Sequence, residues 1–265
     1  MFGWRCARIL SWAPLALLLV LSGEGEAEGQ RTGTALGRLE PRDGVIQVAG
    51  PARPAVVISQ LLVKAGDRVA QGQPIAILDS HALHQAEIVR LEAELAIAQH
   101  ELARAQRLEK GGVSSSAALD EAETAATVAQ ANLDRARAEL ELSVVNSPID
   151  GEVLEIHAHT GERVGPKGIA ELGRTQEMYA VAEVYETDIR FVRVDQRATV
   201  KSPALAEPIQ GKVERIGRKV GKMDVLSADP AAKTDARVVE VQIRLDDGVA
   251  ASGLTNLQVE VELEL

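Results

Sequence analysis

The chain reads as mixed and modular: mainly β, interrupted by one long antiparallel helical hairpin and followed by a β-barrel. Three observations predict this. Short strands punctuated by Gly and Pro stand on both sides of a central stretch, apolar residues inside that stretch recur at steps of three and four, and the C-terminal region alternates apolar with polar residues. With 265 residues, 46% hydrophobic and 26% charged, the chain suits one large domain or a few small modules. Its net charge of −10 argues against a sequence-independent grip on nucleic-acid phosphates or anionic lipid headgroups.

Arg5 and Arg8 precede an apolar run from Ile9 to Leu21, after which the chain turns abruptly to SGEGEAEGQ. That is the layout of an export signal. The run is shorter than a spanning helix requires and contains Pro14, so residues 1–27 read as a signal peptide, cleaved after Ala27, in preference to an N-terminal membrane anchor. Cys6 is the only cysteine and precedes the apolar run, so the exported chain has no thiol and no disulfide and relies on packing. Its aromatics are Tyr179, Tyr185 and Phe191 alone, too few for a base-stacking platform.

Residues 28–43 form a linker and N-terminal strand. From Gly44 the text is β-like, GVIQVAG, PAVVISQLLV and then DRV and PIAIL, with Gly50, Pro51, Gly66, Gly72 and Pro74 as turns. At Asp79-Ser80 the pattern becomes helical. Ile88, Leu91, Leu95, Ala98, Leu102 and Ala105 form the seam of a coiled coil, and no Gly or Pro occurs from Asp79 to Lys110. KGGVSSS supplies glycines to end one helix and serines to cap the next. A second seam, Leu119, Ala122, Ala126, Ala129, Leu133, Ala136 and Leu140, runs to Asn146-Ser147-Pro148, where the proline is expected to stop it. So short a connection makes the arms antiparallel, each about 45 Å long. The seam is narrow and the other faces are Glu, Arg and Gln, which predicts a projecting hairpin over 79–146 in place of a bundle.

Strand patterns return after Pro148. Val239, Val241, Ile243 and Leu245 alternate with Glu240, Gln242, Arg244 and Asp246; Leu257, Val259, Val261, Leu263 and Leu265 alternate with Gln258, Glu260, Glu262 and Glu264. One face is buried and one is wet, which assigns a β-barrel to residues 175–265.

One phrase occurs twice. GDRVAQGQPIAIL, residues 66–78, matches GERVGPKGIAEL, residues 161–172. The two copies resemble the halves of a lipoyl-like domain, a barrel-sandwich hybrid, here assigned to 44–78 and 147–174. Carriers of that fold join their halves by a tight hairpin bearing the prosthetic lysine. Here the helical hairpin fills that place and Lys64 lies on the wrong side of the Gly turn, so no swinging-arm cofactor is expected.

A lipoyl-like domain split by a coiled coil, followed by a barrel and preceded by an export signal, resembles the membrane fusion proteins, or periplasmic adaptors, of the HlyD-like superfamily. GRLEPRDGVIQV, VYETDIRFVRVDQRATV and DARVVEVQIRLDDG are closest to the DevB-like adaptors of ABC exporters. The resemblance implies a periplasmic, inner-membrane-associated subunit that forms a ring, of hexameric type, on an ABC transporter permease. Its hairpin would reach a TolC-like outer-membrane channel. Channel-docking adaptors carry Arg, three residues, Leu, six residues, Ser around the tip, a spacing matched here by Arg104, Leu108 and Ser115. Gly112 and Val113 fall on the turn. Two features depart from the family: Asp195 stands where its barrel usually has Gly, and little chain follows the last strand for a membrane-proximal domain.

Two other chemistries compete. His81, His84, His157 and His159 flank the hairpin's base in closely spaced pairs, the ligand type of a metal-handling adaptor, but Cys is absent there and Met178 and Met223 are distant in sequence. No metal site is assigned. No G-x-S-x-G, H-E-x-x-H, P-loop or paired Cys is present, so no catalytic residue is assigned either. An adaptor of an RND-type pump is the alternative to the ABC-type assignment.

Overall fold

The computed structural model describes residues 32–51, 56–112, 115–223 and 237–264. The predicted export segment, Val113 and Leu265 lie outside them. Mainly β structure with a barrel-sandwich hybrid and one helical hairpin is what the chain adopts.

The hybrid is built from seven short strands: β2 (Ile46–Val48), β3 (Ile58–Leu61), β4 (Arg68–Val69), β5 (Pro74–Leu78), β6 (Val144–Asn146), β7 (Gly151–Ile156) and β8 (Ala170–Gly173). They form two sheets, ordered β2-β8-β7-β4 and β3-β5-β6. Ile58, Ile75, Leu78, Val153, Ile169 and Leu172, drawn from both sheets, share one core. Chain on both sides of the helices is needed to complete it.

The doubled phrase explains how the two parts engage. Gly66 and Gly161 both adopt φ +87°, a left-handed conformation that glycine takes without a Cβ penalty. In each turn the following acid accepts a backbone N–H three residues upstream: Asp67 from Lys64 and Glu162 from His159, both at 2.8 Å. The Gly66 N–H then donates to the Val153 carbonyl and the Gly161 N–H to the Ile58 carbonyl, each at 2.8 Å. Every turn is thus closed by its own acid and bonded to a strand of the opposite half.

Helices α1 (His81–Lys110) and α2 (Ser116–Glu141) are inserted between β5 and β6. Every seam position named from the sequence is buried or half-buried, with Leu91, Leu133 and Ala136 fully buried near the base. Arg137 bonds Glu92 across the two arms at 3.0 Å, beside the seam. Ser80 and Ser115 occupy the helix-start positions, but neither side chain makes a capping hydrogen bond.

One predicted boundary moves. The second helix stops at Glu141, before Pro148, because Val144 and Val145 pair with Ile77 and Ala76 as strand β6. Ser143 closes the base: its carbonyl accepts the Leu78 N–H at 2.9 Å and its hydroxyl donates to the Leu140 carbonyl at 2.5 Å. The proline lies beyond a strand that tertiary pairing created.

The barrel takes β9 (Met178–Tyr185), β10 (Arg197–Lys201), β11 (Ile209–Lys222), β12 (Arg237–Leu245) and β13 (Gln258–Glu264). It also takes β1 (Thr32–Pro41), from the region read as linker and strand; the closed order is β1-β13-β10-β11-β12-β9. β1 pairs with β13 on one side and β9 on the other, so the chain's first described strand closes the barrel. Alternation holds on β12 from Val239 and on β13. It fails on β9, where both faces are buried. The Arg38 guanidinium on β1 reaches Glu40, the buried Glu183 and Glu240, at 2.6, 3.5 and 3.2 Å. Burial and then the hydrogen bond donated to Glu214 push the Tyr179 phenol above its usual range. Asp195 adopts φ 68°, the left-handed region that Asp tolerates better than most residues.

Candidate functional site

The hairpin is the exposed element with the least core of its own, and its packing falls off along its length. At the base Leu91 and Leu133 are 3% and 2% exposed; near the tip Leu108 is 43% exposed. Arg104 lies one turn before Leu108 on the same face of α1, since residues four apart are helical neighbours. Its guanidinium is 3.3 Å from Glu101 and its side chain 65% exposed, so the pairing is a solvated one with little hold on it.

Helix α1 ends at Gly111, whose N–H donates to the Arg107 carbonyl at 3.1 Å, and Gly112 turns the chain at φ +70°. Arg107 and Lys110 occupy the last turn, where cations oppose the negative pole of the helix. Ser115 precedes α2 in an extended conformation with its hydroxyl unused by the helix. The tip therefore presents a cation, an apolar side chain and a hydroxyl around one turn, all exposed. Such a set can pack against and hydrogen-bond the ends of other helices.

Sequence reading passed over a second feature of the hairpin. Leu83 and Ile97 on α1, and Val128 on α2 with Leu142 capping its end, are large, apolar and exposed, and each pair lies two heptads apart outside the seam. A heptad count that looked past the a and d positions finds them. Arg90, midway between Leu83 and Ile97, bonds Glu87 and Glu94 on neighbouring turns. The hydrogen bond from Arg90 holds the Glu87 carboxyl below its usual range.

The four histidines do not gather. His81 Nδ1 is 2.8 Å from the Ser143 hydroxyl, His84 Nδ1 is 3.7 Å from Glu139, and His159 Nδ1 is 3.4 Å from Glu162. His157, nearly buried, stands between two carboxylates, Nε2 at 3.0 Å from Glu171 and Nδ1 at 3.7 Å from Glu155. Among the described residues, Glu155, His157 and Glu171 are the group whose ligand-type atoms come together. Both ring nitrogens of His157 already face carboxylates.

Comparison with known proteins agrees with this architecture. Residues 47–170 match the family model described as CzcB-like, barrel-sandwich hybrid domain. The chain is 26% identical over 215 residues to the multidrug resistance protein MdtA of Escherichia coli, covering 76% of this chain and 51% of the relative. It thus spans about half the length of the curated relatives it matches. Among solved structures, a MacA-MexA chimeric protein with the Pseudomonas aeruginosa MexA alpha-hairpin domain superposes with TM-score 0.70 at 20% identity, over 89% of this chain and 81% of that one. The membrane fusion protein Spr0693 from Streptococcus pneumoniae gives TM-score 0.65 at 18% identity, over 87% and 98%. Residues 47–170 are thus a CzcB-like barrel-sandwich hybrid domain, and the chain, with its sandwich split by a coiled coil and its barrel closed by the strand that precedes it, shares the fold of these solved structures.

Proposed function

We propose that this chain is the adaptor subunit of a tripartite ABC-type exporter. It stands in the periplasm as a ring, of hexameric type, on an inner-membrane transporter permease, and its hairpin meets a TolC-like outer-membrane channel. The observation that carries the reading is the tip: Arg104 and Leu108 are exposed on one face of α1, one turn apart, beside the turn that joins the two arms. The apolar stripes through Leu83 and Ile97, and through Val128 and Leu142, support side-by-side packing of hairpins in the ring. Its work is mechanical: to transmit the transporter's state, seal a conduit and hold the channel open.

Arg104→Asp is expected to abolish export and co-purification of the outer-membrane channel while the helical circular dichroism stays at the wild-type level. Export that continues undiminished removes the tip from the mechanism. Cross-linking at the inner membrane then identifies the transporter. Recovery of an ATPase-linked permease supports the ABC-type assignment, and recovery of a proton-driven pump replaces it with the RND-type one.

A further inference from the structure

The chain's net charge of −10 hides a local exception. Between Arg215 and Lys222 on β11 lie four cations, Arg215, Arg218, Lys219 and Lys222, and no acid. All four are exposed and none has an ion-pair partner among the described residues. The register between β11 and β12 shifts between Ile216 and Val220, so Arg218 and Lys219 sit on a bulge that breaks the ladder. Charge on such a ribbon guards it against edge pairing. That role explains charge but not a single sign in an acidic protein.

Strand registers locate this ribbon. At one end of the barrel Pro41 lies beside Met178 and Gly211 beside Leu245, and there the chain passes to and from the sandwich that bears the hairpin. At the other end Thr32 lies beside Glu264, Val238 beside Tyr185 and Lys222 beside Arg237. The basic stretch is therefore at the barrel end remote from the hairpin. It is also the end at which β1 begins. Val220, 41% exposed, and the half-buried Ile216 are interleaved with the cations.

We infer that the β11 ribbon docks on an anionic phospholipid surface, with Arg215, Arg218, Lys219 and Lys222 over headgroup phosphates and Val220 entering the interfacial layer. The inference rests on the adaptor reading, which turns this end of the barrel toward the inner membrane. Cations and apolar side chains alternating on one exposed element match a headgroup layer better than a flat acidic protein face, because the layer accepts both. Each cation near such a surface contributes about fivefold to partitioning, and the attraction fades beyond a Debye length of about 8 Å at physiological salt.

The test is co-sedimentation of the full exported chain with vesicles of phosphatidylglycerol and phosphatidylcholine in equal parts, against phosphatidylcholine alone. Binding is expected only to the anionic vesicles and is expected to weaken as salt rises. The combined variant Arg215→Gln, Arg218→Gln, Lys219→Gln should bind about a hundredfold more weakly, with unchanged circular dichroism. Val220→Asp should reduce binding at every salt concentration. Equal binding of wild type and combined variant, or equal binding to both vesicle types, overturns the inference. So does cross-linking of the ribbon to an acidic protein partner in cells together with no vesicle binding. Channel co-purification through Arg104 is read separately, so loss of either result leaves the other interpretable.

Discussion

The barrel and the hairpin bury their apolar residues on opposite principles. In the barrel, Val200, Val213, Val241, Ile243, Val261 and Leu263 are sealed within a closed ring of strands that leaves no free edge. In the hairpin, Leu91, Leu133 and Ala136 are the fully buried set among the described residues, and the seam toward the tip is only half-buried. The difference teaches where stability and recognition reside. An element that cannot bury its own surface is held by its base, and its length stays open to solvent.

The contrast is broken hardest from the barrel side. Ile243→Ala opens a cavity in a fully closed core and should cost about 4 kcal/mol, seen as a lower urea midpoint for the whole barrel–sandwich body. Leu133→Ala should cost about 3 kcal/mol but locally, so hydrogen exchange accelerates along α1 and α2 while β9 and β12 amides keep their protection. Equal acceleration in the barrel would show that the two regions unfold as one. Arg38→Met leaves the buried Glu183 carboxylate without that guanidinium and should lower stability by about 2 kcal/mol in thermal unfolding, with Glu183→Gln in the same background restoring part of it.

Two smaller effects sharpen the comparison. Leu108→Ala should move stability by no more than about 0.5 kcal/mol, because its side chain is largely solvated, yet weaken channel co-purification severalfold. At Glu162, the hydrogen bond from the His159 N–H holds the carboxyl below the usual 4.5. The support this lends the turn is present above pH 4.5 and is lost as pH falls through the folded value. An acid-unfolding curve that Glu162→Gln leaves unchanged would count against the turn's role.

Local patterns were readable where a feature depends on neighbours along the chain. The coiled-coil seam follows from three–four spacing, and the doubled turns from Gly followed by an acid. What depends on distant pairing was not. The end of α2 could not be read at Glu141, because Val144 and Val145 become a strand only when β5 is beside them. Burial of both faces of β9 was hidden for the same reason, since Arg38 comes from β1. At the tip, Arg104 and Leu108 were named from spacing, but their exposure is a property of how far the hairpin stands from its base. The basic run on β11 is visible in the letters, and an averaged charge concealed it.

By itself the sequence determined where the helical hairpin and the strand-rich regions lie, apart from the boundary at β6, that the two copies of one turn flank an insertion, and that the insertion zips along a narrow seam. Periodicity and turn chemistry are local, and they suffice for that. Only the tertiary structure decided that β1 closes the barrel, that each Gly turn bonds to the opposite half, and that the basic ribbon stands at the end remote from the hairpin. These are register and closure, set by hydrogen bonds between residues far apart in the chain, and no local pattern encodes them.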